Sequence, residues 1–319
     1  MQIPYAKPSI NDDDRNAVMD VMADRWLTQG PIIERFEAAV CEYTGAKYCV
    51  SVPNGTLAIY AICVLIPNNR LVIVPAICYV ALPNMLTMTN ARMIVPQDIN
   101  LTSYNADKAD FGVDLAGYYC EGPSLIDSAH SFNRNMPMID CTRALSFHAV
   151  KNITTLGEGG AVITNNADVA KRIRAFGRQG NYESQGINWR MTCAQAAMGI
   201  SQIKRADDFK ARKQELCERY YIGMRDLDVI LPLINEDVFW HLYIIRTEGR
   251  DKLQAYLAEQ GIETRTHYKP FYKWPFYFGF KPLPNAEEYW RTALSLPLYA
   301  DMTNAEQDYV IEHVKRGLE

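Results

Sequence analysis

Apolar residues recur along the chain in two rhythms. Near the N-terminus the spacing is helical. Val18, Val21 and Met22 share one face of a segment that Asn11 is placed to cap. Phe36, Ala39 and Val40 repeat the pattern after Pro31, and Leu57 to Ile66, after Asn54-Gly55-Thr56, is apolar nearly all round and predicts a buried helix. Then the rhythm shortens. Leu71–Val74, Arg92–Val95, Val113–Ala116, Ser124–Ile126, Ala144–Phe147 and Ala161–Thr164 are brief apolar runs between turn residues, the pattern of strands buried on both faces. Ala167 to Phe176 predicts a helix that Gly177 stops, and a long helical region runs from Cys193 to about Leu227. This alternation predicts an α/β domain with a mostly parallel sheet.

The last hundred or so residues change style. Phe239 to Thr247 predicts a strand, Asp251 to Gln260 a helix with Leu253, Tyr256 and Leu257 on one face, and Ile262 to Tyr268 a second strand. Thr303 and Glu306 form a capping-box pattern ahead of a terminal helix. The division expected is a large unit over residues 1–220, with an N-terminal arm, and a small α+β unit over 221–319.

Composition narrows the choice. The chain has 319 residues, 48% of them hydrophobic, enough for a large core. Its net charge is -4 and its Lys and Arg are scattered, which argues against a nucleic-acid partner. The start, MQIPYAKPSINDDD, lacks the apolar stretch of a secretory signal. Leu57 to Pro67, the longest apolar stretch, falls short of the roughly 20 residues of a spanning helix. Eight cysteines occur without a CxxC and read as reduced core residues. The five histidines show no metal-binding spacing. The expectation is a cytoplasmic protein without a metal.

One stretch, SFHAVKNITTLGEGGAVITNN, carries a lysine whose surroundings need explaining. It is not a phosphate-binding P-loop. That loop needs its glycines before the lysine and Ser or Thr after it, whereas here Asn152 follows Lys151 and the glycines come later. In an open parallel sheet, ligands gather at the carboxyl ends of strands. Asp127, Ser146 and Lys151 fall at such ends. Asn54-Gly55-Thr56 opens a helix whose free N–H groups favour phosphate, and Tyr79 follows another apolar run. A lysine, a buried carboxylate, an aromatic ring and a helix N-terminus are the parts that hold pyridoxal 5′-phosphate (PLP). The lysine condenses with its aldehyde, and the carboxylate keeps its pyridine nitrogen protonated. Taken singly, each residue has an ordinary explanation: a solvated lysine, a helix-capping aspartate, a plain turn, a core tyrosine. Their order and shared location favour the joint reading.

These segments resemble the DegT/StrS family of PLP-dependent nucleotide-sugar aminotransferases, almost end to end. LTQGPIIERFEAAVCEYTGAKYCVSVPNGTLAIY is similar to the family's N-terminal signature, SLIDSAHSF to its acid-bearing strand, and SFHAVKNITTLGEGGAVITN to its Schiff-base segment. GINWRMTCAQAAMG, HLYIIRTEGRDKLQAYLAEQGIETRTHYKPFY and LSLPLY extend the likeness. The resemblance implies a type I PLP-dependent transferase fold, like that of aspartate aminotransferase. It implies Lys151 as the Schiff-base lysine, Asp127 as the pyridinium partner and His130 near the cofactor ring. Gly55, Thr56 and Ser146 would hold phosphate, and Tyr79 would stack on the ring. Asn188 would reach the phosphate in the neighbouring subunit of a homodimer with shared sites. Glutamate is the donor this implies, and a keto nucleotide-sugar the acceptor. Because alternate strand residues face opposite ways, Arg265, His267 and Lys269 are expected on one face. With Tyr268, and with Trp26 and Thr28 of the WLTQG loop, that face would take the nucleotide diphosphate.

The chain is short for this family. Only YYCEGPS separates VDLAG from SLID, whereas a parallel crossover normally takes about a dozen or more residues and usually a helix. An extended return that bares part of the sheet is the expectation. Two other functions stay open at this level: a PLP enzyme with another acceptor or reaction, such as a cyclitol ketone or a sugar dehydration, and a PLP-binding regulatory protein without turnover.

Overall fold

Caps and turns set the frame of the computed structural model, which describes residues 1–67, 70–89, 93–101, 109–120, 122–277 and 279–319. Helix α1 (Asp12–Asp24) starts at a capping box between Asn11 and Asp14, and α2 (Pro31–Thr44) starts at Pro31. Strand β1 (Tyr48–Val52), α3 (Gly55–Cys63), β2 (Leu71–Pro75), α4 (Ala81–Met88) and β3 (Met93–Gln97) follow in alternation. Then come β4 (Phe111–Val113), β5 (Leu125–Asp127), β6 (Thr142–Ser146) and β7 (Gly160–Thr164). Helix α5 (Ala167–Phe176) has the bounds the sequence predicts. Gly177 ends it for a different reason, since its φ is -71°. A Cβ there would sit 1.6 Å from Nε1 of Trp189.

The region from Cys193 onward is two helices, α6 (Cys193–Lys204) and α7 (Ala206–Met224), broken at Arg205. The C-terminal part holds β8 (Tyr243–Arg246), α8 (Arg250–Glu259), α9 (Pro284–Thr292), β9 (Ala293–Leu296) and α10 (Asn304–Leu318), the last with the Thr303–Glu306 capping box. The strand predicted at 262–268 does not form. That segment is extended and makes only isolated bridges, Ile3 to Ile262 and Arg265 to Ser295. The partner of β8 is β9, antiparallel. The expected division at 220 falls inside α7, whose Leu216, Cys217, Tyr220 and Met224 all pack into the C-terminal core.

The main sheet runs β1-β7-β6-β5-β4, with β4, β5 and β6 parallel and β7 antiparallel to both β6 and β1. The parallel pair β2–β3 continues it. Asp110, just before β4, donates its N–H to the carbonyl of Ile73 and accepts the N–H of Ile73 on its side chain. Alternating residues serve two cores. Val50, Val52, Ala144 and Val162 face α3 and α4, while Cys49, Leu145, Ala161 and Ile163 face α2 and α6.

Among the described residues, no helix joins β4 to β5. The sheet is nonetheless not bared there. The connection folds back on β4, with Cys120 packed where a Cβ on Gly112 would lie 2.7 Å from its sulfur. Asp114 anchors it. One carboxylate oxygen accepts the N–H of Cys120 at 2.7 Å, and the other accepts Arg143 of β6 at 2.8 Å, in a fully buried ion pair. Arg143 also donates to Ser128 Oγ and to the carbonyl of Pro137, so one side chain ties three strands together. No helix among the described residues is long and apolar enough to cross a membrane.

Candidate active site

Two parallel strands end side by side at Asp127 and Ser146, since Asp127 registers with Ala144. The chain leaves β6 through a tight turn closed by the N–H of Lys151 on the carbonyl of His148, at 2.8 Å, and the N–H of Thr155 on Phe147, at 3.1 Å. The turn aims the Lys151 side chain back over the strand ends. Its Nζ lies 3.5 Å from Nε2 of His241.

Asp127 is 3% exposed, and its Oδ1 accepts the N–H of Ala129 at 3.0 Å. Burial pushes its carboxyl above the usual range, against the Ala129 N–H and the Lys151 charge. Burial pushes the Lys151 amine down, against the Asp127 charge. Each group is thus the counter-charge of the other, inside a wall of neutral rings. His130, His241 and His267 are all buried, and burial with the nearby Lys151 charge holds all three unprotonated, His267 at about 3.

The rings are ordered. Nδ1 of His130 accepts the N–H of Ala116 at 3.4 Å, so its proton sits on Nε2, which donates to the Tyr268 hydroxyl at 2.7 Å. The ring of His241 lies 4.4 Å from that of His130. His267 Nδ1 pairs with Ser295 Oγ at 2.8 Å. Nδ1 of His241 is buried and has no hydrogen-bond partner among the described residues.

The other end of the site is built by close approach. Asn54 caps α3, its Oδ1 accepting the N–H of Leu57 at 2.9 Å. A Cβ on Gly55 would lie 2.7 Å from Cβ and Oγ of Ser146, so the glycine leaves Ser146 beside the first turn of α3. The first N–H groups of a helix lack intrahelical partners and bind anions well. The GEGG return is tight for a related reason: a Cβ on Gly160 would lie 2.4 Å from the carbonyl oxygen of Asn54. These residues fit PLP. Gly55 and Ser146 form a small-residue cradle at a helix N-terminus, a buried carboxylate stands opposite a desolvated amine, and an orphaned buried nitrogen lines the wall.

Not every expected residue joins this group. Tyr79 is 51% exposed at the rim, its ring 5.6 Å from that of Tyr268 and tilted. Asn188 is exposed and bridges Arg178. Trp26, also exposed, donates to the carbonyl of Thr28, and Thr28 bridges Thr192. Among the described residues, Asn188, Trp26 and Thr28 form no hydrogen bond with Lys151, Asp127 or Ser146. Of the three residues expected on one face, Arg265 and His267 both border the Tyr5 ring, whereas Lys269 lies apart from them, against Trp274. Arg265 pairs with Glu263 and covers the Tyr5 ring, His267 is buried and neutral, and Lys269 lies 4.8 Å from the Trp274 ring. His267 and Tyr268 belong to the wall of the site instead. His241 was not singled out by the sequence. Its signal is a lone imidazole inside the apolar run VFWHLYII, a position that demands a polar partner.

A sequence model of the DegT/DnrJ/EryC1/StrS aminotransferase family matches residues 8–112 and 126–315. The chain belongs to that family. The unmatched internal stretch, 113–125, coincides with the connection between β4 and β5. The chain is 31% identical over 358 residues to the GDP-perosamine synthase of Escherichia coli O157:H7, covering 98% of this chain and 97% of that one. Helicobacter pylori PseC, an aminotransferase involved in the biosynthesis of pseudoaminic acid, superposes with a TM-score of 0.92 at 26% identity, over 100% of this chain and 99% of that one. Spr1654 of Streptococcus pneumoniae, in its PLP form, gives 0.91 at 25% identity over the whole of both chains. The DegT/DnrJ/EryC1/StrS protein described here is a PLP-dependent aminotransferase with the type I fold.

Proposed function

We propose that this aminotransferase moves an amino group from glutamate to a keto nucleotide-sugar, yielding an amino deoxysugar. The observation that carries the reading is the Lys151 amine, desolvated and facing Asp127 and His241 at the strand ends. PLP, when bound, supplies a carbonyl carbon that takes up the amino group and a ring that takes up negative charge. Lys151 holds the cofactor and, once its amine is free and neutral, carries a proton between the donor's Cα and the cofactor. Asp127 keeps a proton on the pyridine nitrogen by staying ionised. Ser146, Gly55 and Thr56 take the phosphate with the α3 N–H groups. His130, through Nε2–H, and Tyr268 form the polar wall beside the ring, with Tyr79 at its rim.

The site is completed by a second copy of the chain in this reading. Asn188, Trp26 and Thr28 stand away from Lys151 in their own chain, and Met19, Met22, Trp26 and Leu27 form an exposed apolar group near them. A two-fold interface uses one patch twice and brings these residues to the other subunit's site. All eight cysteines are free, which suits a reducing cytoplasm.

The test separates the two halves of the reaction. Glutamate added without acceptor should release 2-oxoglutarate once per site and then stop. A keto nucleotide-sugar should then restore release. No first release refutes glutamate as the donor, and a first release that no keto nucleotide-sugar can renew refutes the acceptor class.

A further inference from the structure

Lys213 lies on α7, 5% exposed, on the face that also buries Phe209, Leu216 and Cys217. Among the described residues its ammonium makes one hydrogen bond, 2.8 Å to Oδ1 of Asn152, and no ion pair. Asn152 directly follows Lys151. Its amide nitrogen donates to the carbonyl of Phe239 at 2.9 Å, two residues before His241. A lysine has donors only, so Lys213 dictates which way the Asn152 amide points, and the other end must then face Phe239. We propose that Lys213 is a positioning residue for Lys151, acting through Asn152 to hold the turn that aims the reactive amine at Asp127 and His241.

The position has a cost that packing alone would not require. An ammonium buried without a carboxylate is unfavourable, and a methionine has similar length and no charge. Burial pushes the Lys213 amine down to about 8. The groups facing it are neutral: Cys217 on its own helix, whose thiol burial pushes up, His241 on the segment before β8, and Asn152 in the Lys151 turn. What the lysine obtains there is the Asn152 carbonyl. Without it the amide is free to turn over, and the Phe239 bond that joins the Lys151 turn to the His241 segment is lost. Misplacing a reacting group by about 1 Å can cost ~100-fold.

The inference rests on Lys151 as the residue that holds PLP, and the test separates the two. Protein freed of PLP is mixed with it, quenched with borohydride at intervals, and the mass added at Lys151 is measured. Unfolding temperatures are measured in parallel. Lys213→Met should attach PLP at Lys151 roughly tenfold or more slowly, the cost of a partly lost orientation. Lys213→Arg, which keeps a charged donor, should stay near the parent rate. In the pair Asn152→Leu with Lys213→Met, the Lys213–Asn152 partners are both gone and only the Phe239 carbonyl is left unpaired, so the unfolding temperature should recover in part while attachment stays slow. Attachment at the parent rate in that pair means that Lys213 serves stability only, and overturns the inference. If Lys213→Met does not fold, the paired variant gives the answer. A parent protein that attaches no PLP at Lys151 overturns the Lys151 assignment itself.

Discussion

The amine of Lys151 stands 3.5 Å from Nε2 of His241, where burial pushes the amine down to about 8 and holds the imidazole unprotonated. Because Nδ1 of His241 is orphaned, the cheaper tautomer carries the proton on Nε2, leaving a bare lone pair rather than a bare N–H in the interior. When Lys151 gives up its proton, that N–H points at the lone pair of the amine. In protein without PLP, the pH midpoint for acetylation of Lys151, read by peptide mass, should lie below that of exposed lysines in the same sample. Asp127→Asn should lower it further, since the carboxylate is what favours the ammonium. The stability contribution has the matching sign. Between the lowered value and the ordinary lysine range the unfolded chain binds more protons, so this group's contribution rises with pH there. A midpoint unchanged in Asp127→Asn would show that the two groups do not interact.

Asp127→Asn also tests the pyridinium role. The carboxylate closes a buried strand and its Oδ1 has the Ala129 N–H, leaving the second oxygen for a cofactor N–H. Asparagine keeps the shape but not the charge. PLP should still attach to Lys151, while release of 2-oxoglutarate from glutamate slows by ~100-fold or more, the scale of one lost contact to developing charge. Stopped-flow single turnovers measure the rate, and a near-parent value contradicts the role.

The residues legible in the sequence share one property: their signal is local. Asn11 announces a helix as its cap and Thr303 through Glu306 three residues on, and both caps form. Asp127, Ser146 and Lys151 could be placed together because all three fall at or just past strand ends. What stayed hidden depends on distant contacts. His241 meets Lys151 across ninety positions, and nothing within its own apolar run reports that meeting. The 262–268 segment, predicted as a second strand, does not become one, since β9 takes the place beside β8. The short connection after β4 could be counted from the sequence. That Asp114 and Arg143 would seal it could not, since the two lie far apart in the chain, one just past the end of β4 and the other within β6.

The Asp114–Arg143 pair predicts a stability effect. Both side chains are almost fully buried, at 0% and 2% exposure, and the pair also holds Cys120 and Ser128. Removing one partner of such a pair strands the other charge, at a cost of about 3–5 kcal/mol. Arg143→Met should lose that much in denaturant unfolding, and adding Asp114→Asn should return part of it. Equal stability in Arg143→Met and the parent would mean that packing of Cys120 and Tyr119, not the ion pair, closes the connection.

A site shared between subunits makes a prediction that no single chain can satisfy. Asn188 is exposed, bridged to Arg178, and forms no hydrogen bond with Lys151 among the described residues of its own chain. If it serves the phosphate of the other subunit, a Lys151→Ala chain still carries a useful Asn188, and an Asn188→Ala chain still carries a useful Lys151. Each homodimer is defective at both sites. A mixed dimer has one site with both residues and one with neither. After exchange of equal amounts, half the dimers are mixed and half of their sites are whole, so turnover should approach about one quarter of the parent's. Differently tagged chains and native mass spectrometry establish that exchange has occurred. Activity that remains at the average of the two parents, with mixed dimers present, would place Asn188 in its own chain's site or in none.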